Sequence, residues 1–419
     1  MEKRIDTPRG PILTKVDTGL VYARNLQYAT AQRWKLPVPS KWTEVRDCTK
    51  SGAVCPQHQF RLEFVLGEMP SKDREFSEDC LNVTVIAPEN ARNLPVLVWY
   101  HGGANIAGGA DFDIMDMSGL ARLGLVTVAV QYRLGVYGCV EIPGHAPANL
   151  HVYDQIEALR WAKENAAAFG GDPANVTIVG QSAGAWAVYN LLLAPTDSLF
   201  KKAILISASL DLKLNSEYGE LVKNKLPGDL LEIQEKCSKE MPGIEPFLAN
   251  RTKAPFPADL EKRLAERKDV DLLIGWTADE VIPYLHMMPT MKTIISLPLI
   301  GGALAHAIGR VGSNRVFKQG SRDLARKWSH NGGKVTTYEF QWYPKESPYG
   351  ACHCIEMPFM FGGWANWAAA PLIAGKGSEE VVNRLAPKFK QMLLTFIKDG
   401  LKDGKHIDIT GGFSEKSYL

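Results

Sequence analysis

Apolar runs recur along the chain at intervals wide enough for a helix between them. LPVLVWY (94–100), LVTVAVQY (125–132), NVTIVG (175–180), KAILISA (202–208), DLLIGW (271–276) and VTTYEFQWY (335–343) are continuous rather than alternating, the pattern of strands covered on both faces. Between the second and third, HVYDQIEALRWAKENAAAF places Ile156, Leu159, Ala162 and Ala166 on one helical face and leaves Lys163 and Glu164 to solvent. FGGDP then ends that helix through its glycines. A last long helix is predicted near 379–399, where Val382, Leu385, Phe389 and Leu393 recur at similar spacing. Strands alternating with helices predict an α/β fold, a mostly parallel twisted sheet with helices on both faces. No repeat, low-complexity tract or linker interrupts the pattern, so residues 1–419 are expected to form a single domain. The stretch 210–270, charged and broken by Pro227, Pro242, Pro255 and Pro257, is a candidate cap over the sheet.

Composition narrows the function. With 419 residues, 45% of them hydrophobic, the chain can bury a large core. Its 48 basic and 46 acidic residues are mixed along the chain to a formal charge of +2, which disfavours nucleic acid and membrane as partners. The start, MEKRIDTPRGPILT, lacks the apolar core of a signal peptide, and no stretch reaches the roughly 18 apolar residues of a membrane span. A cytoplasmic protein is expected, and the sequons at Asn82, Asn175 and Asn250 then carry no weight. The seven cysteines lack the paired C-x2-C spacing of zinc sites, so no metal is expected.

Chemistry concentrates in NVTIVGQSAGAWAVYNLLL, a buried strand, then Gly180-Gln181-Ser182-Ala183-Gly184, then a helix. G-x-S-x-G in that setting is the nucleophile elbow of α/β-hydrolases, a turn too tight for a Cβ at either glycine. An acyl-transfer serine needs donors for a developing oxyanion, and VLVWYHGGANIAGG runs a strand into His101-Gly102-Gly103-Ala104, where they belong. The N–H groups of Gly103, Ala104 and Ala183 are the candidates. An acid and a histidine must follow the serine in that order. Asp279 and Glu280 sit just past one strand, and His353 follows the next. Residue pattern alone leaves the two acids open. His353 lies between Cys352 and Cys354; read as a metal site, this trio lacks a fourth ligand at sensible spacing, and as small buried hydrophobes the cysteines need no other role. His101, His151 and His286 lack the required placement.

These residues resemble the type B carboxylesterase and cholinesterase family of α/β-hydrolases nearly end to end. SEDCLNVTV resembles its S-E-D-C-L-x-L-N-V, QYRLGVYG its N-Y-R-L-G-x-F-G, FGGDPANVTIVGQSAGA its FGGDP to G-E-S-A-G segment, ADEV its D-E-G, and GACHCIEMPFMFG its G-A-x-H-x-x-E-x-x-F. The resemblance implies a triad of Ser182, Glu280 and His353 with oxyanion donors Gly103, Ala104 and Ala183. It also implies ion pairs Arg33–Glu78 and Arg133–Asp172, and a family disulfide matching Cys55 and Cys80, whose thiols are expected to stay free in a reducing cytosol.

The departures matter as much. Gln181 replaces a glutamate beside the serine and removes a negative charge, which argues against a choline-type cation. Ala104 stands where some members have a third glycine, a difference that goes with poor tolerance of tertiary-alcohol esters. His151 replaces a glycine and Trp186 a small residue, so a narrowed or reshaped pocket is expected. The segments between Ser182, Glu280 and His353 are shorter than in typical members, which implies a shortened cap. The expectation is a serine ester hydrolase acting through an acyl-enzyme on a small or medium uncharged ester, without cofactor. HMMPTM (286–291) and FMFGGWANW (359–367) are candidate pocket walls. The alternative is a catalytically silent binding protein on the same fold.

Overall fold

The computed structural model describes residues 1–58, 60–68, 74–212, 218–226, 228–240 and 247–417. Strands run β1 Glu2–Thr7, β2 Gly10–Asp17, β3 Leu20–Gln27, β4 Ala29–Thr30, β5 Val38–Pro39, β6 Arg46–Asp47, β7 Asn82–Pro88, β8 Leu94–Tyr100, β9 Val126–Val130, β10 Gly171–Gln181, β11 Lys202–Ile206, β12 Asp271–Thr277, β13 Val335–Phe340, β14 Lys405–Ile409 and β15 Phe413–Ser417. The main sheet orders them β1-β2-β3-β7-β9-β8-β10-β11-β12-β13-β14-β15, with β6 beside β2, while β4 and β5 pair separately. From β9 through β14 every neighbour is parallel; β1, β2, β3 and β7 form an antiparallel flank, and β15 closes the far edge antiparallel.

Every apolar run singled out from the sequence is a strand of the parallel part. Alternate side chains of one strand enter opposite cores. Val96, Val98 and Tyr100 of β8, with Ala203 and Leu205 of β11, pack on one face. Leu97 and Trp99 of β8, with Ile204 and Ile206 of β11, pack on the other. This is why the runs are continuous: neither face of these strands meets water, and each fully buried Val, Leu or Ile stabilises the fold by roughly 1.5–3 kcal/mol.

Helices cover both faces. Leu150–Asn165 turns Ile156, Leu159 and Ala162 into the first core beside Val188, Leu191 and Leu192 of Ala183–Leu193. Ser378–Asp399, the expected last long helix, buries Val382, Leu385, Phe389 and Leu393 in the second core. After Leu150–Asn165, the short 3-10 turn Ala166–Phe169 runs into Gly170, whose φ of 74° a side chain rarely adopts, and the chain reverses into β10.

The 210–270 stretch holds helices Tyr218–Lys223, Leu230–Glu240 and Leu260–Glu266; Pro227 and Pro242 lie outside the described residues. Among the described residues no helix is long and apolar enough to cross a membrane.

Of the two expected ion pairs, Arg33–Glu78 is present. Arg133 pairs instead with Asp154, at 2.6 Å and fully buried on both sides. Its guanidinium forks onto both carboxylate oxygens, and its own N–H donates to Oδ2. Asp154 lies one turn into the helix that follows β9, directly against the strand end that carries Arg133. Asp172 caps its own turn by accepting from Ala174 N–H. Cys55 and Cys80 are buried free thiols in hydrogen-bonding contact.

Candidate active site

Parallel strands carry their connections out at the carboxyl ends, so residues just past those ends meet along one edge. Tyr100 of β8 is level with Gly180 of β10, Gln181 with Ile206 of β11, and Ile206 with Gly275 of β12. Just past these levels stand the Gly102–Ala104 loop, Ser182 and Glu280. His353 arrives on the loop after β13, held where Asp279 N–H donates to Ala351 O at 2.9 Å.

Ser182 sits between β10 and the helix Ala183–Leu193 with φ 57° and ψ −120°, strained for a residue with a side chain. The turn needs its glycines: a Cβ on Gly184 would lie 1.9 Å from Tyr100 O, and one on Gly180 would lie 2.1 Å from Gly184 O. The strain lifts the Ser182 side chain out of the sheet edge into a cavity of about 290 Å³.

Opposite, Gly103, Ala104 and Asn105 have φ of 111°, 56° and 57°. Three successive left-handed residues coil the loop around the serine. It is fastened from outside by Gln57, which donates to Gly108 O and accepts from Gly108 N–H, and by Asn105 Nδ2 donating to Phe247 O. The N–H groups of Gly103, Ala104 and Ala183 donate to no protein acceptor among the described residues, so an anion beside Ser182 would find them unspent.

Glu280 and His353 meet in the buried base of the cavity. His353 Nδ1 lies 2.6 Å from Glu280 Oε2, and Glu280 Oε1 accepts from Thr277 N–H at 2.8 Å. Neighbouring Asp279 does different work: it accepts from Ala351 N–H and lies 3.3 Å from Arg310 Nε, tying down the loop that carries His353. Of the two acids the sequence pattern left open, Glu280 is the one on the imidazole. Tyr284 and Phe317 flank the ring, with centroids 5.8 and 5.1 Å away.

His353 Nε2 faces the side-chain amide of Gln181 at 3.2 Å, and the same amide nitrogen reaches Cys354 Sγ at 3.2 Å. Ser182 Oγ makes no hydrogen bond among the described residues. Both nitrogens of His353 are thus engaged, Nδ1 by Glu280 and Nε2 by Gln181. Burial opposes charge on His353, but Cys354 and Glu280 outweigh it and the net direction is upward. Burial also raises the Cys354 thiol, so near neutral pH that group is uncharged and Glu280 is the carboxylate that orients the imidazole.

A third carboxyl lies behind this pair. Glu356 is fully buried, accepts from Ser207 Oγ at 2.9 Å, and has Oε2 unpartnered among the described residues. Burial first, then the charge of Glu280, pushes it up to about 8. The contact of Gln181 with His353 and the presence of Glu356 were not drawn from the sequence. Glu356 is nonetheless the glutamate three residues past His353 in the quoted motif.

The cavity wall is apolar, with Phe60, Leu62, Trp186, Leu285, Met288 and Phe317. Trp186 is in the wall, its Nε1 donating to Ser209 O. His151 is not: it is buried against Gly138 O, and burial lowers it to about 4. Of HMMPTM only Met288 lines the cavity, and 359–367 does not, because Phe359, Phe361 and Trp367 are spent in the second core. Among the described lining residues Arg61 is the one permanently charged side chain; no carboxylate lines the cavity.

A model of the carboxylesterase family matches residues 21–224. The chain is 33% identical over 412 residues to a probable N-octanoylanthranilate hydrolase of Rhodococcus erythropolis, covering 91% of this chain and 90% of that protein. It is 32% identical to the para-nitrobenzyl esterase of Bacillus subtilis, covering 94% and 90%. Among solved structures, a thermophilic pNB esterase superposes with a TM-score of 0.84 at 26% identity, over 100% of this chain and 98% of that one.

Proposed function

The chain belongs to the carboxylesterase family and is an ester-hydrolysing enzyme, and we propose that it works through an acyl-enzyme on Ser182, with His353 as general base and Glu280 as its orienting acid. The observation that carries this reading is the 2.6 Å contact of Glu280 Oε2 with His353 Nδ1 at the base of the cavity that Ser182 enters.

Glu280 holds the proton on Nδ1 and leaves Nε2 with its lone pair toward the serine side. As Ser182 Oγ attacks the ester carbonyl, Nε2 takes its proton; Gln181 yields its place at Nε2 for that step. The Gly103, Ala104 and Ala183 N–H groups receive the oxyanion, which is where the barrier is lowered most. His353 then protonates the leaving alcohol, and water repeats the sequence to free the acid.

An apolar wall without a carboxylate favours an uncharged ester of small or medium size over a cation. The relatives named for octanoylanthranilate and nitrobenzyl compounds agree with a substrate bearing an aryl group or a medium acyl chain. The test is hydrolysis of p-nitrophenyl esters from acetate to dodecanoate, with EDTA present, by the protein and by Ser182→Ala. Turnover that disappears in the variant is expected; turnover that survives it removes Ser182 from the mechanism.

A further inference from the structure

The near-neutral total charge hides a lopsided segment. From Val281 to Arg322 there is no Asp or Glu, while Lys292, Arg310, Arg315, Lys318 and Arg322 all fall inside. Lys318 is paired with Glu339, and Arg310 lies on Asp279. Lys292 and Arg315 are exposed and have no acidic partner among the described residues.

This segment also carries apolar side chains to solvent. Helices Pro289–Ile295 and Gly301–Ser313 are joined by a loop in which Leu299 is fully exposed and Ile300 is 59% exposed. Along the second helix Ile300, Leu304, Ala307 and Val311 recur at intervals of four, three and four on the outward face, Val311 being 72% exposed. Its inward face is apolar as well: Gly309 packs so closely on Ile282 that a Cβ there would lie 2.5 Å from it. A helix with two apolar faces is expected to be covered on both, and this one is covered on one.

We infer that this helix pair docks the enzyme on the surface of a lipid phase bearing anionic headgroups. Three features select that occupant. The apolar residues protrude at a loop apex rather than lining a groove, which suits insertion into a soft phase better than fit against a packed protein. The cations beside them, with no acid in the segment, complement an anionic surface and would repel the same face of a second copy. The helix pair is also bounded by the cavity wall, since Tyr284, Leu285 and Met288 before it and Phe317 after it in sequence line the cavity. An apolar ester dissolved in the lipid would enter the enzyme without crossing water.

The test is flotation of the full chain with phosphatidylcholine vesicles, with and without phosphatidylglycerol. Binding is expected to the anionic vesicles and to weaken with salt. Leu299→Asp with Ile300→Asp should lower the bound fraction at least about tenfold, and Lys292→Glu with Arg315→Glu should remove the preference for anionic lipid. Both double variants should retain hydrolysis of a short soluble nitrophenyl ester, since none of these residues lines the cavity. Absence of vesicle binding by the unmodified protein, or binding unaffected by both double variants, overturns the inference. So does a dimer in light scattering that the Leu299 and Ile300 changes disperse, which would make the face a contact between copies.

Discussion

The side-chain amide of Gln181 stands 3.2 Å from Nε2 of His353, on the nitrogen through which a proton would pass to and from Ser182. With Nδ1 turned to Glu280, the amide donates and Nε2 accepts. Gln181→Glu would exchange that neutral donor for a carboxylate and favour the imidazolium. The acid limb of the kcat/KM profile should move upward by about one pH unit. A limb that stays in place would show that residue 181 does not face His353 in the working enzyme.

Adjacent acids with different partners should fail differently. Glu280→Gln leaves His353 without a carboxylate and should cost at least about a hundredfold in kcat with little change in melting temperature. Asp279→Asn weakens the anchorage of the 350–354 loop, so its main effect should be on stability. Steady-state kinetics and thermal melts of the two variants, compared side by side, check the assignment; equal kcat losses would sink it.

Trp186 fills the cavity wall beside the serine and is 4% exposed. Trp186→Ala should move the preferred acyl chain toward longer esters while destabilising the protein by about 3 kcal/mol. Chain-length profiles and urea melts read both effects. An unaltered profile with normal folding would mean that the acyl chain lies elsewhere.

Glu356, pushed up to about 8, keeps a proton in the folded state that the unfolded chain releases near 4.5. Its contribution to stability is therefore complete below the unfolded value and is lost as pH rises toward 8. Glu356→Gln should therefore remove a downward slope of about 1.4 kcal/mol per pH unit between those limits. Urea unfolding of both proteins at several pH values measures the difference, and parallel curves would contradict it.

Hydrophobic periodicity was enough for the parallel sheet and its covering helices, because a strand buried on both faces must be apolar at every position, and that is legible residue by residue. The elbow was equally legible, since Gly180 and Gly184 are required by close backbone approach and mark the turn wherever the chain places it. The antiparallel flank of β1, β2 and β3 was not foreseen: Glu2–Thr7 alternates between exposed and half-buried positions and carries no strong apolar signal. Side-chain direction after a strand was beyond the residue pattern too. Glu280 rather than Asp279 meets His353, a choice the family resemblance anticipated, because the backbone bond from Asp279 N–H to Ala351 O fixes how the two loops face each other. Arg133 took Asp154 in place of the expected Asp172 because the helix after β9 brings Asp154 to the strand end. Chain order and burial pattern reside in the sequence; which polar atom faces which is settled only when separate strand ends are brought to one level of the sheet.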